Sequence, residues 1–105
     1  MNNPNIDYIK ELAGGDAAFE EKFIAILKDE FPQEREQYEA ECREKNATAT
    51  ASIVHKIKHK FNILAMEDAY ALAVAYEQEL LNHRFDKDSD FRTFLDKVTN
   101  YLKTL

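Results

Sequence analysis

Residues 54–65 read VHKIKHKFNILA, a stretch that combines an apolar seam with basic and imidazole side chains. On an α-helix each residue turns by about 100°. With His55 as the zero direction, Lys58 then lies at about −60°, His59 at about +40° and Asn62 at about −20°. The apolar residues on the opposite side are Ile53, Ile57, Phe61 and Leu64. The segment is therefore predicted to be a helix that buries one face and turns His55, Lys58, His59 and Asn62 toward solvent.

Capping signals predict further helices on both sides of this segment. Gly14 and Gly15 favour the end of a short first helix, because glycine adopts left-handed backbone angles easily. Pro32 is expected either to stop the second helix or to lie inside one kinked helix that continues through residues 33–45. The residues predicted to cap or open helices are Asn5 or Asp7, Asp16, Thr48 or Thr50, Glu67 with Asp68, and Asp88 or Ser89.

The pattern of apolar residues predicts one helical domain. Few breakers and no period-two alternation argue against strands. We expect an all-α, up-down four-helix bundle with a short extra N-terminal helix, in a single domain over residues 1–105. Tyr38 and Cys42 are the inward residues expected in the polar stretch after Pro32. The aromatic residues expected in the core are Phe19, Phe23, Phe31, Phe61, Phe91 and Phe94.

Composition narrows the function. The formal net charge of −6 argues against nucleic-acid binding. The single Cys42 cannot form an internal disulfide and fits a reducing, cytoplasmic location. No apolar run has membrane-spanning length, so no membrane insertion is expected. We expect a cytoplasmic monomer.

The face around His55 suits phosphoryl chemistry. A neutral ring nitrogen is a competent nucleophile toward an activated phosphoryl group. Lys58, one turn on, can offset charge on the phosphoryl oxygens, and Lys56 and Lys60 can widen the positive field from either side. The sequence contains no glycine-rich phosphate loop and no kinase signature. A phosphoryl group on His55 would therefore have to come from another protein.

The segment resembles the signature of the histidine phosphotransfer (HPt) domain family of two-component signalling. That signature has a histidine, an apolar residue at +2, lysine at +3 and usually small residues at +4, +7 and +10. The corresponding residues here are His55, Ile57, Lys58, His59, Asn62 and Ala65. Residues 6–16 are similar to the short leading helix and turn of such domains, and the phenylalanine-rich second helix and the Leu/Tyr-Glu pattern after the signature also fit. The resemblance therefore extends over nearly the whole chain.

The resemblance implies a phosphorelay carrier with no autonomous kinase activity. His55 would be the phosphoacceptor and Lys58 would stabilise the phosphoryl group. Glu77, on the following helix, would accept a hydrogen bond from the imidazole and fix its tautomer. The implied partners are response-regulator receiver domains and a sensor or hybrid histidine kinase. The protein would need no cofactor of its own, because the receiver domain supplies the divalent cation.

The chain departs from the family pattern at two positions. His59 stands where the family usually has glycine, and Asn62 replaces a small residue. Together with Lys56 and Lys60, they are expected to contact the partner. A bulky His59 could narrow partner choice, bond the phosphoryl group or hinder transfer.

Two other functions fit the same residues. The first is a helical interaction module that docks a receiver or kinase without carrying phosphate. The second is metal binding by His55 and His59, which stand at i and i+4. Two ligands are too few for a tight structural site, and His83 is expected near a distant loop. We therefore expect no metal site.

Overall fold

The computed structural model describes residues 3–105, and within that range the chain forms five α-helices and no β-strand. The helices are α1 (Asp7–Ala13), α2 (Ala17–Arg43), α3 (Ala47–Ile63), α4 (Glu67–Leu80) and α5 (Asp88–Leu102). The all-helical class predicted from the sequence is confirmed. Residues 1 and 2 of the predicted domain lie outside the described range. None of these five helices has the length and apolar composition needed to cross a membrane.

Two of the predicted helix boundaries in the N-terminal part are confirmed. Gly14 ends α1 with φ of 57°, in the left-handed region that glycine adopts without a steric penalty. The Asp16 side chain accepts a hydrogen bond from the backbone N–H of Phe19 at 3.1 Å. This cap provides an acceptor for one of the amides left free at the start of α2.

α2 passes through Pro32 as a single helix of 27 residues. Of the two possibilities left open by the sequence, the continuous helix is the one observed. Because proline has no N–H, the carbonyl of Lys28 loses the donor that an α-helix normally supplies four residues later. The neighbouring carbonyl of Asp29 accepts a hydrogen bond from the side-chain amide of Gln33 at 3.1 Å. Pro32 therefore weakens the hydrogen bonding of α2 without ending the helix.

Replacing Pro32 with alanine is expected to raise the free energy of unfolding by about 1–3 kcal/mol, because alanine restores the missing donor. The proline ring is exposed, so its removal leaves no cavity. Chemical denaturation measures the change. Glu36→Ala, at an exposed position one turn later, is the matched control and should shift stability by less than about 0.5 kcal/mol. A loss of stability in Pro32→Ala would contradict the argument.

Contacts between α2 and its neighbours α3 and α5 join the start of one helix to the end of the other. Lys60, near the end of α3, lies 2.9 Å from Glu30 of α2, whereas Ile53 near the start of α3 lines a groove with Glu41. The pairs between α2 and α5 are Arg35 with Asp96 and Glu39 with Arg92, and Lys28 contacts Leu105, just after the end of α5. Each of these two helix pairs is therefore antiparallel.

Aromatic rings from four helices meet around Phe91 in the core. The ring centroid of Phe91 lies 4.9 Å from that of Tyr38, 5.4 Å from Tyr76 and 5.7 Å from Phe61. All four side chains are at most 1% exposed. α2, α3, α4 and α5 are thus joined through one aromatic cluster.

The predicted core is correct near the middle of the molecule and wrong at one end. Phe31, Phe61 and Phe91 are buried and Phe23 is partly buried, but Phe19 is 43% exposed. The Lys60–Glu30 contact places the end of α3 level with Glu30, so the first turns of α2 extend beyond it. Helical periodicity alone could not show this difference in length, which leaves Phe19 beyond the main core.

Two predicted caps are wrong. Asn46, and not Thr48 or Thr50, caps α3, since its side chain accepts from the N–H of Ala49 at 3.1 Å. The hydroxyl of Thr50 is buried and donates to the carbonyl of Asn46 at 2.7 Å. Neither Asp88 nor Ser89 caps α5. The residue at the cap position is Lys87, and its side chain makes no cap hydrogen bond.

A partly buried polar cluster lies beside the aromatic one. The hydroxyl of Tyr38 lies 2.8 Å from that of Tyr76 and donates to the carboxylate of Asp88. The sulfur of Cys42 lies 3.8 Å from the same carboxylate, and Arg92 donates to it at 2.9 Å. Asp88 is therefore occupied as a partner for α2 and its own helix, which explains why it does not cap α5.

Stability is expected to fall with alkaline pH because of this cluster. Burial, together with the hydrogen bond to Asp88, raises the pKa of Tyr38, and burial also raises the pKa of Tyr76. The folded state therefore holds these phenolic protons more tightly than the unfolded chain does. At pH values below the ordinary tyrosine pKa of about 10, the free energy of unfolding keeps this contribution. Above that pH, each of the two tyrosines lowers the free energy of unfolding by about 1.4 kcal/mol per pH unit.

Denaturation at several pH values between about 9 and 11 measures this slope. Tyr38→Phe should show a shallower decline than the wild-type protein, whereas Tyr8→Phe, at an exposed position, should not change the slope. Equal slopes for all three proteins would contradict the assignment.

Candidate functional site

His55 lies in the middle of α3 with 52% of its side chain exposed. Its Nδ1 is 3.2 Å from both carboxylate oxygens of Glu77, on α4. Ile57 and Phe61, on the other face of α3, are fully buried and fix the rotation of the helix. The apolar seam therefore holds the imidazole at the surface, and the next helix supplies its partner.

The Glu77 carboxylate determines which ring nitrogen of His55 can react. An ionised carboxylate only accepts hydrogen bonds, so Nδ1 of His55 carries the proton in this contact. In the neutral ring the lone pair is then on Nε2, on the side away from Glu77. The arrangement presents a nucleophilic nitrogen outward and keeps an anion behind the ring, where it can stabilise positive charge.

Lys58 shares the same carboxylate. Its ammonium is 3.2 Å from Oε1 of Glu77 and 5.9 Å from the ring centre of Tyr70, also on α4. The side chain is only 12% exposed, so the expectation that Lys58 is a solvent-exposed lysine is wrong. Its direction of about −60° from His55 turns it toward α4, where the carboxylate and the Tyr70 ring compensate for lost water.

The other residues predicted for this face divide into two groups. Lys56, His59 and Asn62 are exposed beside His55. The rings of His55 and His59 stand edge to face, with centroids 5.0 Å apart and an angle of 86° between their planes. A partner that reaches His55 therefore also meets the imidazole of His59.

Lys60 does not join this group. Its ammonium lies 2.9 Å from Glu30 and 3.3 Å from Glu34, and its side chain is 12% exposed. Burial disfavours the charged form, but the two carboxylates outweigh burial and raise the pKa of Lys60. The contact is directed toward α2, so Lys60 connects two helices and does not extend the basic surface around His55.

Within residues 3–105 no group of three or more histidine, cysteine, aspartate or glutamate side chains is arranged to hold a metal ion. His55 and His59 are the nearest pair of histidines described, and His83 lies after the end of α4 with φ of 59°. The ring contact between His55 and His59 brings two possible metal ligands together, without a third.

Tyr70 is the site residue that sequence reasoning missed. It precedes Glu77 by seven residues, two turns of α4, and so lies on the same side of that helix. Because α3 and α4 are antiparallel, the later part of α3 faces the earlier part of α4, as the Lys58–Tyr70 contact shows. The seven-residue spacing was visible in the sequence, but the helix pairing was not.

Comparison of the chain with protein-family models, curated proteins and solved structures found no match. The side chains around His55 are therefore the main indication of function. The informative features are the exposed imidazole, its contact with Glu77 and the lysine that shares the carboxylate.

Proposed function

We propose that this protein is a phosphoryl carrier of the HPt type, which accepts a phosphoryl group on His55 from a receiver-domain aspartate and passes it to another receiver. In this proposal α2, α3, α4 and α5 form the up-down four-helix bundle, and α1 is the extra N-terminal helix. The observation that carries it is the contact of Nδ1 of His55 with Glu77, which leaves Nε2 directed outward.

The chemical step requires little from this chain beyond positioning. Nε2 of His55 attacks the phosphorus of the aspartyl phosphate, the N–P bond forms, and the bond from phosphorus to the aspartate oxygen breaks. The aspartate carboxylate leaves with the bonding electrons. The imidazole becomes positively charged while it keeps its Nδ1 proton, and Glu77 stabilises that charge.

Lys58 would act on the phosphoryl oxygens. Its ammonium is already held near the ring by Glu77, at 3.2 Å. A lysine fixed in this way loses less conformational entropy when the phosphoryl group arrives than a free surface lysine would. The divalent cation that activates the aspartyl phosphate would belong to the receiver, as would most of the catalytic groups.

The test is incubation of the protein with each phosphorylated receiver domain of its source organism. We expect label on the protein that is lost in acid and stable in base, as a phosphoramidate bond requires. If no receiver transfers label to the wild-type protein, the proposal is wrong.

The alternative is an interaction module that docks a receiver or kinase and carries no phosphate. The packing of His59 against the His55 ring favours it, since any partner must accommodate both imidazoles. This function predicts receiver binding, measured by calorimetry, without any transfer of label. Measuring both binding and labelling with the same receiver domain distinguishes the two functions.

Lys58→Ala is expected to slow labelling by about 10–100-fold, because one fixed positive charge next to the phosphoryl group is lost. Its effect on the free energy of unfolding should be at most about 1 kcal/mol. Lys56→Ala is the matched control, since Lys56 is exposed on the same helix. Rapid-quench labelling measures both rates. Equal slowing by the two variants would indicate a general effect of surface charge and not a specific role of Lys58.

A further inference from the structure

The imidazole of His55 has two different sides. On the side of α4, its Nδ1 lies 3.2 Å from both carboxylate oxygens of Glu77, and the Lys58 ammonium lies 3.2 Å from one of the same oxygens. Around the helix axis, Lys58 stands about 60° from His55 in one direction and His59 about 40° in the other. Nε2, on the part of the ring turned away from Glu77, is therefore directed toward the side of α3 that carries His59.

The ring of His59 lies next to that of His55. The two centroids are 5.0 Å apart and the ring planes meet at 86°. Side chains on an α-helix lean toward its N-terminus, so a residue four positions later reaches back toward His55. His59 is exposed, and its ring contact with His55 uses neither of its nitrogens in a hydrogen bond within residues 3–105. A ring N–H of His59 is therefore available as a donor.

A phosphoryl group on Nε2 of His55 would bring three negatively charged oxygens beside this donor. Because the ring centroids are only 5.0 Å apart, rotation of the His59 side chain can place one of its nitrogens about 2.9 Å from a phosphoryl oxygen, the length of an N–H···O hydrogen bond. Lys58 is bound to Glu77 on the other side of the ring and is 12% exposed. It therefore approaches the phosphoryl group from the α4 side only, and the oxygens on the far side need another donor.

We propose that His59 is a phosphoryl-binding residue, which donates a ring N–H to the phosphoryl group carried by His55. The hydrogen bond forms only in the phosphorylated protein, so it stabilises that form relative to the free one. Its acceptor is charged, and such hydrogen bonds are about twice as strong as those between neutral groups. This contact deepens the proposed function and rests on its assignment of His55 as the phosphoacceptor. Of the three effects that a bulky His59 allows, it is the bonding of the phosphoryl group.

The test phosphorylates the full chain without any receiver domain. The probe is phosphoramidate, whose phosphoryl group moves to an imidazole nitrogen while its amine leaves as ammonia. His55→Gln shows how much of the label is on other histidines. The ¹⁵N resonances of the His59 ring are recorded before and after labelling at about pH 9, where an ordinary imidazole is neutral. We expect labelling to shift His59 toward a single tautomer, because the nitrogen that donates keeps its proton.

Two variants separate hydrogen bonding from bulk. His59→Gln keeps an N–H donor, whereas His59→Leu is similar in size and has none. Both should fold, because the position is exposed. Urea denaturation is measured for each protein with and without label, so that each variant is compared with its own unlabelled form. The rise in the urea midpoint on labelling should be about 0.3–1 M larger in the wild-type protein and His59→Gln than in His59→Leu.

The proposal is overturned if the midpoint rises equally in the three proteins, since His59 would then act through its size alone. It is also overturned if the His59 ring resonances do not respond to labelling, or if phosphoramidate places no label on His55. Failure of every receiver to transfer label would count against the proposed phosphorelay. It would leave these measurements unchanged, because phosphoramidate supplies the phosphoryl group directly.

Discussion

A His55→Gln protein is expected to accept no phosphoryl label from any receiver that labels the wild-type protein. An amide nitrogen is not a nucleophile toward phosphorus, because its lone pair is delocalised into the carbonyl group. Glutamine is polar and similar in length, and the His55 side chain is half exposed, so the fold should be unchanged. Gel labelling with a phosphorylated receiver measures the loss, and circular dichroism checks the fold.

The matched controls are the other two histidines. His59→Gln and His83→Gln should still accept label, because neither ring contacts a carboxylate in the way His55 contacts Glu77. Label on His55→Gln at the wild-type level would assign the phosphoacceptor to another side chain. Loss of label in His59→Gln alone would assign it to the neighbouring ring.

The direction of His55 could be predicted from the sequence because it depends only on the turn of one helix. The apolar seam of Ile57 and Phe61 defines the buried side, and the structure buries both completely. The direction of Lys60 follows from the same turn of the helix. It lies at about 140° from His55, nearer the seam than the exposed face, and the structure turns it to Glu30 and Glu34. The prediction that Lys60 contacts a partner beside His55 therefore disagreed with the direction of Lys60 on the helix.

The environment of Lys58 could not be predicted in the same way. At about −60° from His55 it stands at the edge between solvent and a neighbouring helix, and the sequence does not say on which side that helix lies. The structure places α4 there, with Glu77 and Tyr70 in contact with the lysine. The resemblance to HPt domains suggested Glu77 as a partner of His55, but not that Lys58 shares it.

Helix ends were predicted less well than helix faces for a related reason. Asn46, Thr48 and Thr50 can all cap a helix and lie within about one turn, and asparagine is only somewhat preferred over threonine at this position. The structure uses Asn46 because Thr50 is carried into the buried face of α3. A cap therefore depends on how the helix is rotated by its apolar residues, which is a property of the whole fold.

Phe91→Ala is expected to lower the free energy of unfolding by about 3–5 kcal/mol, because a large aromatic ring is removed from the centre of the core. Phe91 is fully buried and lies within 5.7 Å, between ring centroids, of Tyr38, Tyr76 and Phe61. Truncation removes three edge-on or tilted ring contacts and leaves a cavity at the junction of four helices. Urea denaturation with an unchanged slope would assign the loss to the folded state.

Phe94→Ala is the matched control, because Phe94 is on the same helix and is only partly buried. Phe94→Ala should lower the free energy of unfolding by about half as much as Phe91→Ala, or less, since part of the Phe94 ring is already in contact with water. The Phe91 variant should also lose phosphotransfer at temperatures where it remains folded. Tyr76 packs on Phe91 and directly precedes Glu77, so a looser Tyr76 allows the carboxylate to move away from His55. A variant that loses stability by the expected amount but transfers phosphate at the wild-type rate would show that the position of Glu77 does not depend on the aromatic cluster.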